Sequence, residues 1–199
     1  MDLATVASLD FMSYAEQLIQ TYRQHFDGKV YVYYFKSKKP KIDADELIEV
    51  PKICAHAHNP RFYFYKAYVI YDMMQKDNTF LYLDACHQIL KYPKEIIDTI
   101  KAHSRFFVCY PKIDIKASKP QIKIDVGSQT TGRCLEELGC LDVRYKEAPL
   151  YWAAIQAWEP TRENKQFANE FLQAMKNPAI AGPSNYMKNP EPGNPYCRC

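Results

Sequence analysis

The chain has 199 residues, 47% apolar and 25% charged, the proportions of a folded globular domain and not of a disordered one. Its formal net charge of +3 is too balanced to imply nucleic acid by itself. Its six glycines form neither a G-x-G pattern nor a G-x-x-x-x-G-K loop, which excludes the common glycine-rich phosphate cradles, and no apolar run is long enough to span a membrane.

Thr5 to Ala7 opens the chain as a short apolar strand, and Ser8-Leu9-Asp10 supplies turn chemistry after it. Phe11, Tyr14, Ala15, Leu18, Ile19, Tyr22 and Phe26 recur at helical spacing and predict one buried face, ended by Asp27-Gly28. Val30 to Phe35, rich in valine and tyrosine, predicts a strand, and Ser37 to Asp45 a basic loop. A second helix is predicted over 61–75. Phe80-Leu-Tyr-Leu83 reads as a fully apolar strand that stops at Asp84. Pro93 suits a first helical residue ahead of Ile96, Ile97 and Ile100. Phe106 to Tyr110 predicts another strand, Leu135 to Leu138 a short helix closed by Gly139, Tyr151 to Ile155 a strand, and 163–175 a helix. From Asn177 the composition turns to Pro, Asn and Gly, so 177–199 is expected to be an irregular tail. The alternation predicts a single α/β domain over 1–199, with a mostly parallel sheet flanked by helices.

Seven cysteines, an odd number without a C-x-x-C pair, exclude a complete disulfide framework within the chain. With an N-terminus that lacks the basic start of a secretory signal, the expectation is reduced thiols and a cytoplasmic protein.

In open α/β sheets ligands bind outside the carboxyl ends of the strands. Two polar stretches meet that rule: Ala7-Ser8-Leu9-Asp10 and Asp84-Ala85-Cys86-His87. Asp84, at the end of four apolar residues, either caps a turn or holds a sugar hydroxyl or a divalent cation, with His87 near enough in sequence to join it. Lys66 is the basic residue of the second helix's first apolar turns, with Arg61 just before it. It is either a snorkelling lysine or a point charge for a diphosphate. Cys54-Ala-His56-Ala-His58 offers three zinc-type ligands without an evident fourth. Lysines 29, 36, 38, 39 and 41 interleave with Tyr31, Tyr33 and Tyr34, superficially suiting single-stranded nucleic acid. Tyr151-Trp152 is a sugar-stacking platform or simply core.

Thr5-Val-Ala-Ser-Leu-Asp10-Phe-Met-Ser-Tyr14, Lys29-Val-Tyr-Val-Tyr33, Phe64-Tyr-Lys66 to Tyr71 and Phe80-Leu-Tyr-Leu-Asp84-Ala85, in that order and spacing, resemble the GT-A-fold nucleotide-sugar glycosyltransferases. The later stretches Pro149 to Ala153, Pro160-Thr161 and Phe167 to Leu172 are similar to that family's acceptor side. Two features depart from it: Cys86 stands where the second aspartate of the D-x-D motif belongs, and no histidine follows His103.

The resemblance implies hexose transfer from a UDP-sugar to a hydroxyl of a glycan acceptor, with no nucleic-acid partner. Ala7, Ser8, Leu9, Asp10 and Tyr14 would frame the nucleotide. Lys66 and Arg61 would meet the diphosphate, and Asp84 would hold ribose or, with His87, Mn2+ or Mg2+. Gln156 or Glu159 is expected to touch the sugar, and Asp125 or Asp142 to serve as base. The irregular end fits one domain of a longer polypeptide. The rival reading is a non-catalytic sugar- or nucleic-acid-binding module on the same scaffold.

Overall fold

The computed structural model describes residues 1–35, 39–109, 132–146, 148 and 151–181. The strands are β1 (Asp2–Val6), β2 (Val30–Tyr34), β3 (Glu46–Glu49), β4 (Phe80–Leu83), β5 (Arg105–Cys109) and β6 (Tyr151–Trp158). The helices are α1 (Met12–Arg23), α2 (Phe64–Met74), α3 (Lys94–His103), α4 (Gly132–Glu137), α5 (Val143–Lys146), α6 (Arg162–Met175) and α7 (Pro178–Ala181). Single 3-10 turns at Leu9–Phe11 and Pro60–Phe62 lead into α1 and α2.

The strands form one sheet in the order β3-β2-β1-β4-β6-β5. The first four strands are mutually parallel, and β6 runs antiparallel to both β4 and β5. This is the expected α/β class with a mostly parallel sheet. Period-two alternation divides the strand side chains between two cores. Leu3, Val30, Val32, Leu81 and Leu83 pack with Ala15, Leu18 and Ile19 of α1 and Ile100 of α3. Ala4, Tyr31, Tyr33, Phe80, Tyr82 and Trp158 pack on the other face with Val69, Ile70 and Met73 of α2 and Ala168 of α6. Helices therefore cover both faces, as a parallel sheet requires.

Three expectations shift. The α1 stripe is narrower than its apolar residues suggest: Ala15, Leu18, Ile19 and Tyr22 are buried, whereas Phe11 and Tyr14 stand about half exposed. Glu46–Glu49 is an additional edge strand paired with β2, where two apolar residues between glutamates carry little periodic signal. β6 extends past Ile155 to Trp158. Gly28 also has a role besides ending α1: a Cβ there would collide with the Met1 carbonyl, which accepts a 2.6 Å bond from the Tyr22 hydroxyl. The segment Asn177–Ala181, expected to be irregular, includes the short helix α7, and 182–199 lies outside the described residues.

Candidate functional site at the switch point of the sheet

From β1 the chain moves to β2 and β3 on one side, then crosses by α2 to β4 on the other. The carboxyl ends of β1 and β4 therefore flank the switch point, where a doubly wound sheet opens its ligand crevice. The register places Ala4 beside Tyr82, so Val6 and Ala7 end level with Asp84 and the residue after it. The Thr5 hydroxyl donates to the Leu83 carbonyl at 2.7 Å and ties the two ends together. Ala7 is buried, and its amide continues the ladder to the Tyr33 carbonyl at 2.9 Å. Ser8 accepts the Phe11 amide at 2.9 Å to form the turn that carries Leu9 and the exposed Asp10. Tyr14 lies against Phe11, ring centroids 5.9 Å apart. The two stretches chosen from sequence thus meet at one edge.

Asp84 projects on the same face as Tyr82, two residues earlier, and that face is covered by α2. Lys66, in the first turn of α2, donates to Asp84 Oδ2 at 2.8 Å. The Tyr82 hydroxyl donates to Asp84 Oδ1 at 2.7 Å. The Lys66 side chain is 10% exposed and that of Asp84 28%, so the ammonium is buried and the carboxylate faces the crevice. The Tyr63 and Tyr82 rings lie 5.4 and 5.8 Å from Nζ and add cation–π attraction. Burial, reinforced by the Asp84 charge, raises the Tyr82 hydroxyl well above its ordinary value, so it stays protonated and keeps donating. The α2 amino end also faces this edge, and its dipole favours anions there. Arg61 is exposed in the turn before α2, its amide bonded to the Asn59 side chain at 3.1 Å.

His87 bonds the main chain of Asp84. Its amide and its Nδ1 both lie 3.0 Å from the Asp84 carbonyl oxygen, so Nδ1 serves as a donor to the main chain. Cys86 is exposed, with its sulfur 3.7 Å from that same nitrogen. Both Asp84 oxygens already accept strong donors, and among the described residues no three His, Cys, Asp or Glu side chains gather around it. A dication at Asp84 would also stand about 4 Å from a buried ammonium. At an effective dielectric of about 20 that repulsion is about 8 kcal/mol. This donor set does not fit a divalent metal.

The other candidates separate clearly. His56 Nε2 lies 2.9 Å from the Met175 carbonyl and 3.6 Å from Cys54 Sγ, and His58 Nε2 lies 2.7 Å from the Val50 carbonyl; among the described residues the three do not gather into a metal-type cluster. Tyr31 and Tyr33 are buried beneath α2 and offer no stacking surface for bases. Because β6 is antiparallel, Trp158 pairs with Phe80 at the start of β4, which puts Glu159 at the edge opposite the crevice. Gln156 is buried and accepts the Trp158 indole N–H at 3.1 Å. Level with Tyr82, it donates its own amide N–H to the Ala153 carbonyl at 2.8 Å, so both ends of the side chain are taken. Tyr151, at the other end of β6, is exposed on the crevice side against Phe107. Asp142 accepts the Arg144 amide at 2.9 Å and caps α5, and Asp125 lies outside the described residues. The residue that sequence reasoning missed is Tyr82; its signal was the two-residue step to Asp84 on an alternating strand.

No family model matches the chain, and no curated protein matches it by sequence. Among solved structures it is similar to the bifunctional glycosyltransferase WbbM in its apo form, with a TM-score of 0.53 and 10% identity over 92% of this chain and 37% of that one. It is also similar to core-mannan synthase A of Aspergillus fumigatus in its Mn/GDP form, with a TM-score of 0.47 and 8% identity over 88% of this chain and 64% of that one. The chain spans less than two thirds of the length of either protein. The likeness is one of fold: an α/β sheet of the kind found in glycosyltransferases.

Proposed function

We propose that the chain is a glycosyltransferase domain that binds a nucleoside-diphosphate sugar over the carboxyl ends of β1 and β4 and passes the sugar to a hydroxyl of a glycan acceptor. A UDP-hexose is the proposed donor. The observation that carries the reading is the buried Lys66 ammonium, fixed by Asp84 at the ligand edge of the sheet. Its N–H donors lie at the strand-end edge where a departing diphosphate gathers negative charge. In the transfer, the bond from the anomeric carbon to the diphosphate oxygen breaks and the diphosphate leaves with the electron pair. The acceptor oxygen bonds to that carbon and passes its proton to solvent water, which balances the charge on the released diphosphate.

Ala7, Ser8, Leu9 and Asp10 line the base and ribose side in this reading, with Tyr14 and Phe11 as exposed rings beside it. Arg61 stands at the outer phosphate. Tyr151 offers a ring face to the acceptor sugar. No step is assigned to a divalent cation, because Lys66 and Tyr82 occupy the carboxylate that would hold it. The chain's groups at the β1 end are main chain, the Ser8 and Tyr14 hydroxyls and the Asp10 carboxylate, which suit a uracil or a guanine edge, so UDP and GDP are tested side by side.

Release of nucleoside diphosphate from a UDP-hexose or GDP-hexose, with and without glycan acceptor, is the direct assay. Turnover with one donor is expected. If neither donor turns over and neither diphosphate raises the melting temperature, while a free oligosaccharide or single-stranded RNA does, the chain is a binding module and the enzymatic reading fails.

A further inference from the structure

The site that a GT-A resemblance assigns to a metal is already filled by a cation of the chain's own. We infer that Lys66 takes the place of the divalent ion, so that the donor's diphosphate is bound in a metal-independent manner. The inference rests on the proposed nucleoside-diphosphate donor and adds to it the identity of the group that meets the diphosphate.

Three observations converge. The ammonium sits 2.8 Å from the strand-end carboxylate, the distance of a direct charge-assisted bond. It is held there: Lys66 lies in the first turn of α2, its side chain is packed between the Tyr63 and Tyr82 rings, and its amide bonds the Tyr63 carbonyl at 3.0 Å. The carboxylate in turn is locked by the Tyr82 hydroxyl. Asp84 takes one of the three N–H donors of the ammonium, leaving the valence of Nζ able to serve two phosphate oxygens as well. The sequence agrees: Cys86, where a second metal-binding carboxylate would stand, is an exposed thiol, a poor ligand for a hard cation.

In this arrangement Asp84 is a positioning residue. It orients the lysine and does not carry an ion. A carboxylate holding a dication would present net charge +1 to the donor, whereas Asp84 with Lys66 presents none. The exposed Arg61 one turn earlier and the amino end of α2 supply the remaining attraction.

The test is titration of the whole chain with UDP and GDP, each in excess chelator and again with excess Mn2+, followed by calorimetry. The expected result is binding in chelator that Mn2+ changes by less than about threefold, a difference small beside the tenfold steps that separate real contacts. Lys66→Met is expected to weaken the diphosphate by about ten- to hundredfold, the loss of one charge-assisted bond, while leaving the parent nucleoside nearly unchanged. Lys66→Arg keeps the charge and guards against misfolding of the methionine variant; it is expected to retain metal-independent binding. Tightening of the wild-type diphosphate by about tenfold or more with Mn2+ overturns the inference and leaves the glycosyltransferase reading standing. Binding of neither diphosphate under either condition overturns both.

Discussion

The same residue types, lysine, carboxylate and tyrosine, cluster near each end of helix α2, and the two clusters have opposite characters. At the amino end, Lys66, Asp84 and Tyr82 meet at the carboxyl edge of the sheet. At the other end, Lys76 reaches Glu46 at 3.4 Å and Asp72 at 3.7 Å, lies 4.8 Å from the Tyr31 ring centroid, and Asp72 accepts the Tyr33 hydroxyl at 2.7 Å. The far cluster has two carboxylates for its one lysine and pins β2 and β3 to the helix. The near cluster has one carboxylate for a lysine that is far more deeply buried. A charge that holds a fold together is over-compensated and partly wet. The charge at the crevice is buried and matched singly, by a carboxylate that is itself partly exposed at the edge where ligands enter. Strand direction, not residue type, separates the two.

The largest difference is expected from removing a carboxylate at each end. Asp84→Ala leaves a buried ammonium without a counter-charge and is expected to cost about 3 kcal/mol. Glu46→Ala removes a partner from an exposed pair that keeps Asp72, and is expected to cost less than about 1 kcal/mol. Urea unfolding of the two variants measures both. Equal losses would mean that Lys66 reaches water when unpaired, and the contrast between the two ends would collapse.

That contrast also marks how far the sequence could be read. Phe80 to Leu83 and Val30 to Tyr34 are legible as apolar runs because both faces of the sheet are covered, and Leu172 and Met175 of α6 because burial imposes a helical period, although Phe167, expected on the same stripe, is exposed and Ala168 is buried instead. The position of Asp84 is legible for the same reason, as a charge that ends an apolar run. Its partner is not. Lys66 lies 18 residues away, and only the crossing of α2 over the sheet brings them together. Read alone, Asp84 looks uncomfortable, and its neutralisation looks harmless. With Lys66 in place the sign reverses, because the lysine is the more buried of the two. The direction of β6 is equally silent in sequence: Gln156 and Glu159 look like acceptor-side residues until the antiparallel pairing with β4 buries Gln156 beside Tyr82 and sends Glu159 to the opposite edge.

Next in size are the hydroxyls. Tyr33→Phe removes the donor to Asp72 and Tyr82→Phe the donor to Asp84, each a bond to a charged group. Each is expected to cost about 1–2 kcal/mol. The comparison lies in a second readout. Tyr33→Phe is expected to leave UDP and GDP affinity unchanged, whereas Tyr82→Phe loosens the Asp84 carboxylate and weakens the nucleotide that binds the wild type. Loss of affinity in both variants would show that the far cluster also feels the ligand.

The smallest effect is alkaline. Burial, and then the neighbouring Asp72 charge, push the Tyr33 hydroxyl far above its ordinary value, and burial does the same to Tyr82 ahead of Asp84. Tyr31, nearer the surface, is pushed up to about 12, again chiefly by burial. Their folded values lie above the unfolded one of about 10, so above that pH the unfolded chain releases protons that the folded chain keeps. The stability tied to these groups is therefore complete below about pH 10 and is lost as the pH rises beyond it. Each strongly shifted tyrosine steepens the decline, by a limiting slope of about 1.4 kcal/mol per pH unit. Tyr33→Phe, which has no proton to lose at that position, is expected to recover about 1 kcal/mol of its deficit against wild type between neutral pH and about pH 10.5–11. Denaturant midpoints taken across that range give the two slopes. Parallel curves would mean that Tyr33 ionises as readily in the folded chain as in the unfolded one, and the buried bond to Asp72 would have to be abandoned.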